Sequence, residues 1–126
     1  MEISQRRSKR RSTSSRYKDN RGKRVYEQGR VPSLTKVDER KSKVIRMRGG
    51  DKKTILFNEN NANLMDKKTG KYAKAKIISV VETPANRHFV RRNIMTKGCT
   101  IQTDKGRAVV TNRPGQEGTI NAVLVD

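Results

Sequence analysis

Tryptophan is absent from the 126 residues, cysteine and histidine occur once each, and proline three times. Cys99 alone cannot form an internal disulfide, which fits a reducing compartment or simply no need for bridges. A structural zinc site needs four Cys or His ligands, and Cys99 with His88 supplies two. The same two residues are the candidates for a thiol–imidazole nucleophile pair, but Cys99 stands at the start of an apolar strand, where thiols are usually inert. Acids are scarce, 12 Asp and Glu against 31 Lys and Arg. Glu59, Asp66, Glu82, Asp104 and Glu117 are scattered without glycosidase or metal-ligand spacing. No Walker loop, nucleophile elbow or dinucleotide fingerprint occurs. The inventory therefore points away from an enzyme, a metal centre and a cofactor. Long apolar runs are missing too: none approaches the ~20 residues of a spanning helix, and no basic stretch carries a matching apolar helical face. Residues 1–24 lack the apolar core of a secretory signal, and their Arg-rich, Ser-rich start lacks the apolar face of a transit peptide. A membrane partner is not expected.

What the chain has is positive charge. A formal net charge of +19 repels itself, so the compact state should be stabilised by a polyanion, RNA or DNA. The length predicts one domain with a modest core. Arg6, Arg7, Lys9, Arg10, Arg11, Arg16, Lys18, Arg21, Lys23 and Arg24 crowd the first 24 residues, which contain almost nothing apolar after Ile3. Such a segment cannot bury enough surface to offset its ordering entropy, so alone in water it is expected to be disordered. Beside RNA it can order, because each cation that neutralises a phosphate releases counterions. An import signal or a solubilising tail is the plainer reading of the same charge. Gly29, Pro32 and Ser33 interrupt the next segment, so residues 1–43 are predicted as one basic extended arm leading into a domain over 44–126.

From Lys43 the pattern takes period two. Ile45 and Met47 alternate with Arg46 and Arg48, Gly49-Gly50-Asp51 turns, and Thr54–Phe57 returns, a hairpin with Arg46, Arg48, Lys52 and Lys53 around its tip. Asn58–Asn63 reads as an Asn-rich link, and Lys67–Lys71 as a turn. Tyr72–Glu82 holds the most apolar run, Ile77, Ile78, Val80 and Val81, and is predicted as a central strand with both faces partly covered. Cys99, Ile101 and Thr103, then Ala108 and Val110, then Ile120, Ala122 and Leu124 alternate along three more strands. The turns between them fall at Lys105-Gly106 and Pro114–Gly118. The prediction is all-β: a small, partly open antiparallel barrel of about six strands.

One connection gathers most of the remaining chemistry. Between Thr83 and Gly98, TPANRHFVRRNIMTKG, lie Asn86, Arg87, His88, Arg91, Arg92, Asn93 and Lys97. Arg offers a planar fork of donors, Asn a donor and an acceptor, and His a ring that stacks or donates, which suits phosphate oxygens and unpaired base edges. A solvated basic loop is the bland alternative. The five aromatics, Tyr17, Tyr26, Phe57, Tyr72 and Phe89, do not make the clustered stacking platform of an RRM or cold-shock barrel. Gly115–Gly118 spells GXXG but lies between strands, unlike a KH loop, and no recognition helix is in view. What remains is electrostatic and shape-based binding to folded RNA, with Asn86, His88 and Asn112 available for a few specific contacts.

The run ETPANRHFVRRNIMTKGCTIQTDKGRAVVTNRPGQEGTINAVLVD closely resembles the carboxyl-terminal half of the ribosomal protein eight family of the eukaryotic and archaeal small subunit. The likeness extends back through IRMRGGDKK and, more loosely, GRVPSLTKV and the basic start. Its short length resembles archaeal members. The resemblance implies a small barrel with a basic extension, bound to small-subunit ribosomal RNA beside neighbouring ribosomal proteins, monomeric within the subunit, in the cytoplasm and without catalytic activity. Its motifs fall on Asn86, Arg87, Arg91, Arg92, Asn93, Thr96, Lys97 and Gly98, then Asn112, Arg113, Pro114, Gly115, Gly118 and Asn121. Two alternatives stand beside it: an assembly factor sharing the carboxyl-terminal barrel, and a basic DNA-packaging protein.

Overall fold

The computed structural model describes residues 3–4 and 7–125, so Arg6 lies outside the described residues. The chain divides into two units, Met1–Pro32 and Ser33–Asp126. In the first, β1 (Ile3–Ser4) pairs antiparallel with β2 (Gln28–Gly29). Between them residues 9–17 turn back on themselves where an extended course was expected. Tyr17 N donates to Lys9 O and Arg11 N to Ser15 O, both at 2.9 Å. Ser14 takes the left-handed φ of 66° at the tip. A Ser-Thr-Ser-Ser run favours such a turn because short hydroxyls bond locally, as Thr13 and Ser15 do at 3.2 Å.

The second unit begins earlier than the predicted boundary at residue 43. Thr35 is buried and donates to Leu56 O at 2.7 Å. Met95 N reaches Thr35 O at 2.8 Å, and Lys36 N reaches Phe57 O at 2.9 Å. The hairpin is present as expected: β3 (Lys41–Arg46) pairs antiparallel with β4 (Lys52–Asn58) around a tight turn at Arg48–Gly50. Its link to the next strand is fixed by Glu59, which is 3% exposed. That carboxylate accepts from Asn60 N and Asn61 N at 3.2 and 3.3 Å and from Arg40 Nη1 at 2.7 Å, so its charge is compensated on both oxygens.

The barrel is made of β5 (Asn61–Met65), β6 (Tyr72–Glu82), β7 (Thr100–Thr103), β8 (Gly106–Val110) and β9 (Asn121–Leu124). It is closed and mixed rather than partly open and antiparallel. Four pairs are antiparallel, but β9 meets β5 in parallel, with Asn63 opposite Asn121 and Leu64 opposite Ala122. Five strands close the wall because the β3–β4 hairpin forms its own two-stranded sheet. β5 occupies residues read as a link: Asn61 and Asn63 face out while Ala62 and Leu64 face in, so the asparagines sit on the wet side of a strand.

Inside, small residues alternate with large ones. Ala62, Ala75, Ala108 and Ala122 are buried with Leu64, Ile77, Val80, Ile101, Val110 and Ile120, which lets a ring of few strands fill its own narrow bore. Leu56, Met95 and Cys99 complete the cluster. β6 does not bury both faces. Register shifts at Ile77/Ser79 and Val80/Glu82 change the side-chain phase, as bulges do. Ile77 and Val80 go inward, leaving Ile78 and Val81 62% and 41% exposed.

The connections hold single helical turns, α1 (His88–Arg91) and α2 (Pro114–Glu117). Pro114 opens α2, where a missing N–H costs nothing, and Gly118 ends it at φ 71°. No helix among the described residues is long and apolar enough to cross a membrane.

A candidate nucleic-acid interface

The Thr83–Gly98 connection is held at several points, and what it leaves outside is cationic. Asn86 Oδ1 accepts from His88 N at 2.9 Å and Asn86 O from Phe89 N at 3.0 Å, starting α1. Phe89 and Val90 are half-buried, while Arg87, His88, Arg91 and Arg92 are exposed. Asn93 reverses the chain at φ 48°, and its Oδ1 accepts from Val80 N at 3.2 Å, tying the connection to the bulged part of β6. Ile94 and Met95 then enter the interior. Gly98, at φ 83°, donates to Val110 O at 2.8 Å, leaving Lys97 exposed beside it. None of Arg87, Arg91, Arg92 and Lys97 is held in an ion pair among the described residues. Their donors stay available to an anion, on a backbone whose course is fixed. Thr83 Oγ1 and Thr96 Oγ1 are buried near the ends of the connection without a hydrogen-bond partner among the described residues.

A second group sits on the hairpin. Arg46 faces Lys52 across the ladder, and Arg48 follows in the turn. Like charges opposed across strands are unfavourable by themselves, and a phosphate between them removes the cost. Lys53 is partly buried, and its Nζ donates to Gln116 Oε1 at 2.6 Å.

The smaller unit holds a third group. Arg7, Lys9, Arg16, Lys18, Arg21 and Lys23 line a cleft of about 640 Å³ with Tyr17. Arg7 and Arg11 lie 3.7 and 4.9 Å from the centroid of the Tyr17 ring, a cation–π arrangement. Arg21 is partly committed, forming two bonds of 2.7 and 3.1 Å to Glu27. Arg10 Nη1 donates to Ser14 O at 3.1 Å, and Arg24 N to Glu27 Oε2 at 3.0 Å.

The asparagines divide by role. Asn86 and Asn93 shape the connection. Asn112 is 7% exposed, donates to Thr119 O at 2.8 Å and accepts from Asn121 N at 2.9 Å, so both ends of its carboxamide hold the turn before β9; Arg113 beside it is exposed. The Arg40–Glu59 pair was not legible in the sequence, since its members are 19 residues apart and each alone reads as surface charge.

Cys99 is fully buried, and that burial pushes its thiol above the usual range. A thiol that is both inaccessible and protonated does not attack. Native protein should therefore resist iodoacetamide at neutral pH and be alkylated only after unfolding in guanidinium, checked by mass spectrometry; rapid alkylation of the native chain would refute the burial.

A narrow closed barrel with an aliphatic interior and cations distributed over its exterior defines a class: the small basic β-barrel proteins. Within it the assignment is specific. The family model described as Ribosomal protein S8e matches residues 4–125, and the chain belongs to that family. It is 47% identical over 125 residues to the small ribosomal subunit protein eS8 of Methanobrevibacter smithii, covering 99% of this chain and 100% of the relative. The protein of the same name from Methanococcoides burtonii is 47% identical over 120 residues, 95% of this chain and 96% of the relative. That from Methanocorpusculum labreanum is 48% identical over 117 residues, 93% and 94% of the two chains.

Proposed function

We propose that this chain is a structural component of the small ribosomal subunit that binds small-subunit ribosomal RNA by charge and shape. The observation that carries this is near full-length similarity to proteins named small ribosomal subunit protein eS8. The geometry supports it. Fixed backbone with unpaired guanidinium groups, as at Arg87, Arg91 and Arg92, presents donors to phosphates at little further ordering cost. RNA and neighbouring ribosomal proteins are the partners, the chain acts as a monomer within the subunit in the cytoplasm, and its role is structural rather than catalytic. RNA that neutralises the basic residues before Ser33 relieves their mutual repulsion and stabilises the path they take.

The test is co-sedimentation. The chain should remain on mature small subunits through a high-salt wash and should prefer structured ribosomal RNA to duplex DNA at matched ionic strength. Absence from mature subunits would instead favour an assembly factor, and equal affinity for duplex DNA a packaging protein.

A further inference from the structure

The outer wall of the barrel carries a feature that the cation groups do not explain. Strand register aligns Tyr72, Met65, Val123 and Val109 in one row across β6, β5, β9 and β8. The neighbouring row runs Lys74, Asn63, Asn121, continued by Thr111, whose Oγ1 donates to Asn121 O at 3.2 Å. Residues of both rows line an open groove of about 530 Å³.

Three properties of the groove narrow its occupant. Tyr72 is 76% exposed, a ring standing almost free beside the half-buried Met65 and Val123. Such a ring gains most from a flat group laid against it. Next to the ring, Asn63 Nδ2 donates to Asn121 Oδ1 at 3.0 Å. That bond leaves Asn63 Oδ1 as an acceptor and Asn121 Nδ2 as a donor, neither with a hydrogen-bond partner among the described residues. A base edge offers both donors and acceptors, so either free amide atom can be met by one. Finally, the lining includes Lys74 and no carboxylate, and Lys71 and Lys76 are exposed nearby in sequence. An apolar protein side chain seated here would strip water from the ammonium and the amides without replacing their hydrogen bonds. A nucleotide answers all three.

We propose that this groove binds one unpaired RNA base: Tyr72 stacks on its face, the Asn63–Asn121 pair meets its edge, and Lys74 meets an adjoining phosphate. The inference rests on the ribosomal-RNA reading but names a separate contact, made to a base rather than to the backbone.

The experiment uses the full chain and two hexanucleotide RNA backbones, one abasic throughout and one carrying a single adenine. Wild-type protein should bind the adenine-bearing oligomer roughly tenfold more tightly, the scale of one base stacked on an aromatic ring. Tyr72→Ala should erase that preference and Tyr72→Phe should keep it, with affinity for the abasic oligomer unchanged in both. Because Tyr72 is exposed, neither change should disturb the fold. No base preference in the wild type, or a preference that survives Tyr72→Ala, overturns the proposal. Retention of each variant on small-subunit ribosomal RNA is measured alongside. If retention persists without base preference, the groove assignment alone fails; if wild-type protein is not retained at all, the ribosomal-RNA reading fails with it.

Discussion

Reversing Arg91 and Arg92 to Glu together is expected to weaken binding to small-subunit ribosomal RNA by on the order of 100-fold near 0.1 M salt, since two charge-assisted contacts are lost and two repulsions added. The same charge change at Lys105 and Arg107, exposed around the β7–β8 turn, should cost several-fold less. Net charge is equal in the two variants, so the difference isolates position. α1 gives it physical content: Phe89 and Val90 anchor the turn, and Asn93 fastens its exit to Val80, so the guanidiniums stand on a fixed base. Anchored donors lose less entropy on binding than donors on a loose loop. Binding isotherms over a salt series decide it. Equal losses from the two pairs at every ionic strength would reduce the connection to one more basic patch.

The largest effect on stability is expected at Gly118. Its φ of 71° lies in the left-handed region, and a Cβ built there would sit 2.6 Å from Thr54 Cγ2 and 2.7 Å from Thr54 Cβ. Gly118→Ala should cost about 3 kcal/mol, the left-handed penalty and the overpacking together. That is a large part of the total for a domain of this size. Urea denaturation measures it. Thr54→Ala introduced into the Gly118→Ala chain should recover part of the loss by removing Cγ2, so the two changes should be non-additive in the favourable direction. Strict additivity would mean that the β4 contact is not the source.

Both residues belong to motifs whose composition was legible and whose geometry was not. PGQEG announced a turn through proline and glycine; that it forms one helical turn seated against β4 depends on a residue 64 positions away. The β3–β4 hairpin and the inward alternation of Ile101, Val110 and Ile120 could be read directly, because period two is a local property, although Met47 falls past the end of β3 and is 40% exposed. Barrel closure could not. Nothing in the composition of β9 reveals that its second neighbour is β5 in parallel, since pairing partners are chosen by the whole sheet. β5 was missed because residue type was weighed above alternation, although Ala62 and Leu64 keep the period between Asn61 and Asn63. The bulges in β6 hid in the same way, with four aliphatics in a short run giving no sign of which two would face solvent. At the site, Arg and Lys announced exposed charge, whereas Asn112, identical in type to a base-reading amide, holds a turn with both ends of its side chain.

The alanines inside the wall settle where this protein can do business. Wider barrels keep a lumen and can lodge a guest there, out of reach of solvent. This one fills its bore with its own methyl groups, so what the barrel meets, it meets on its outer skin. Recognition is thereby separated from packing: the outward half of each strand can change partner or charge while the inward half goes on holding the ring shut.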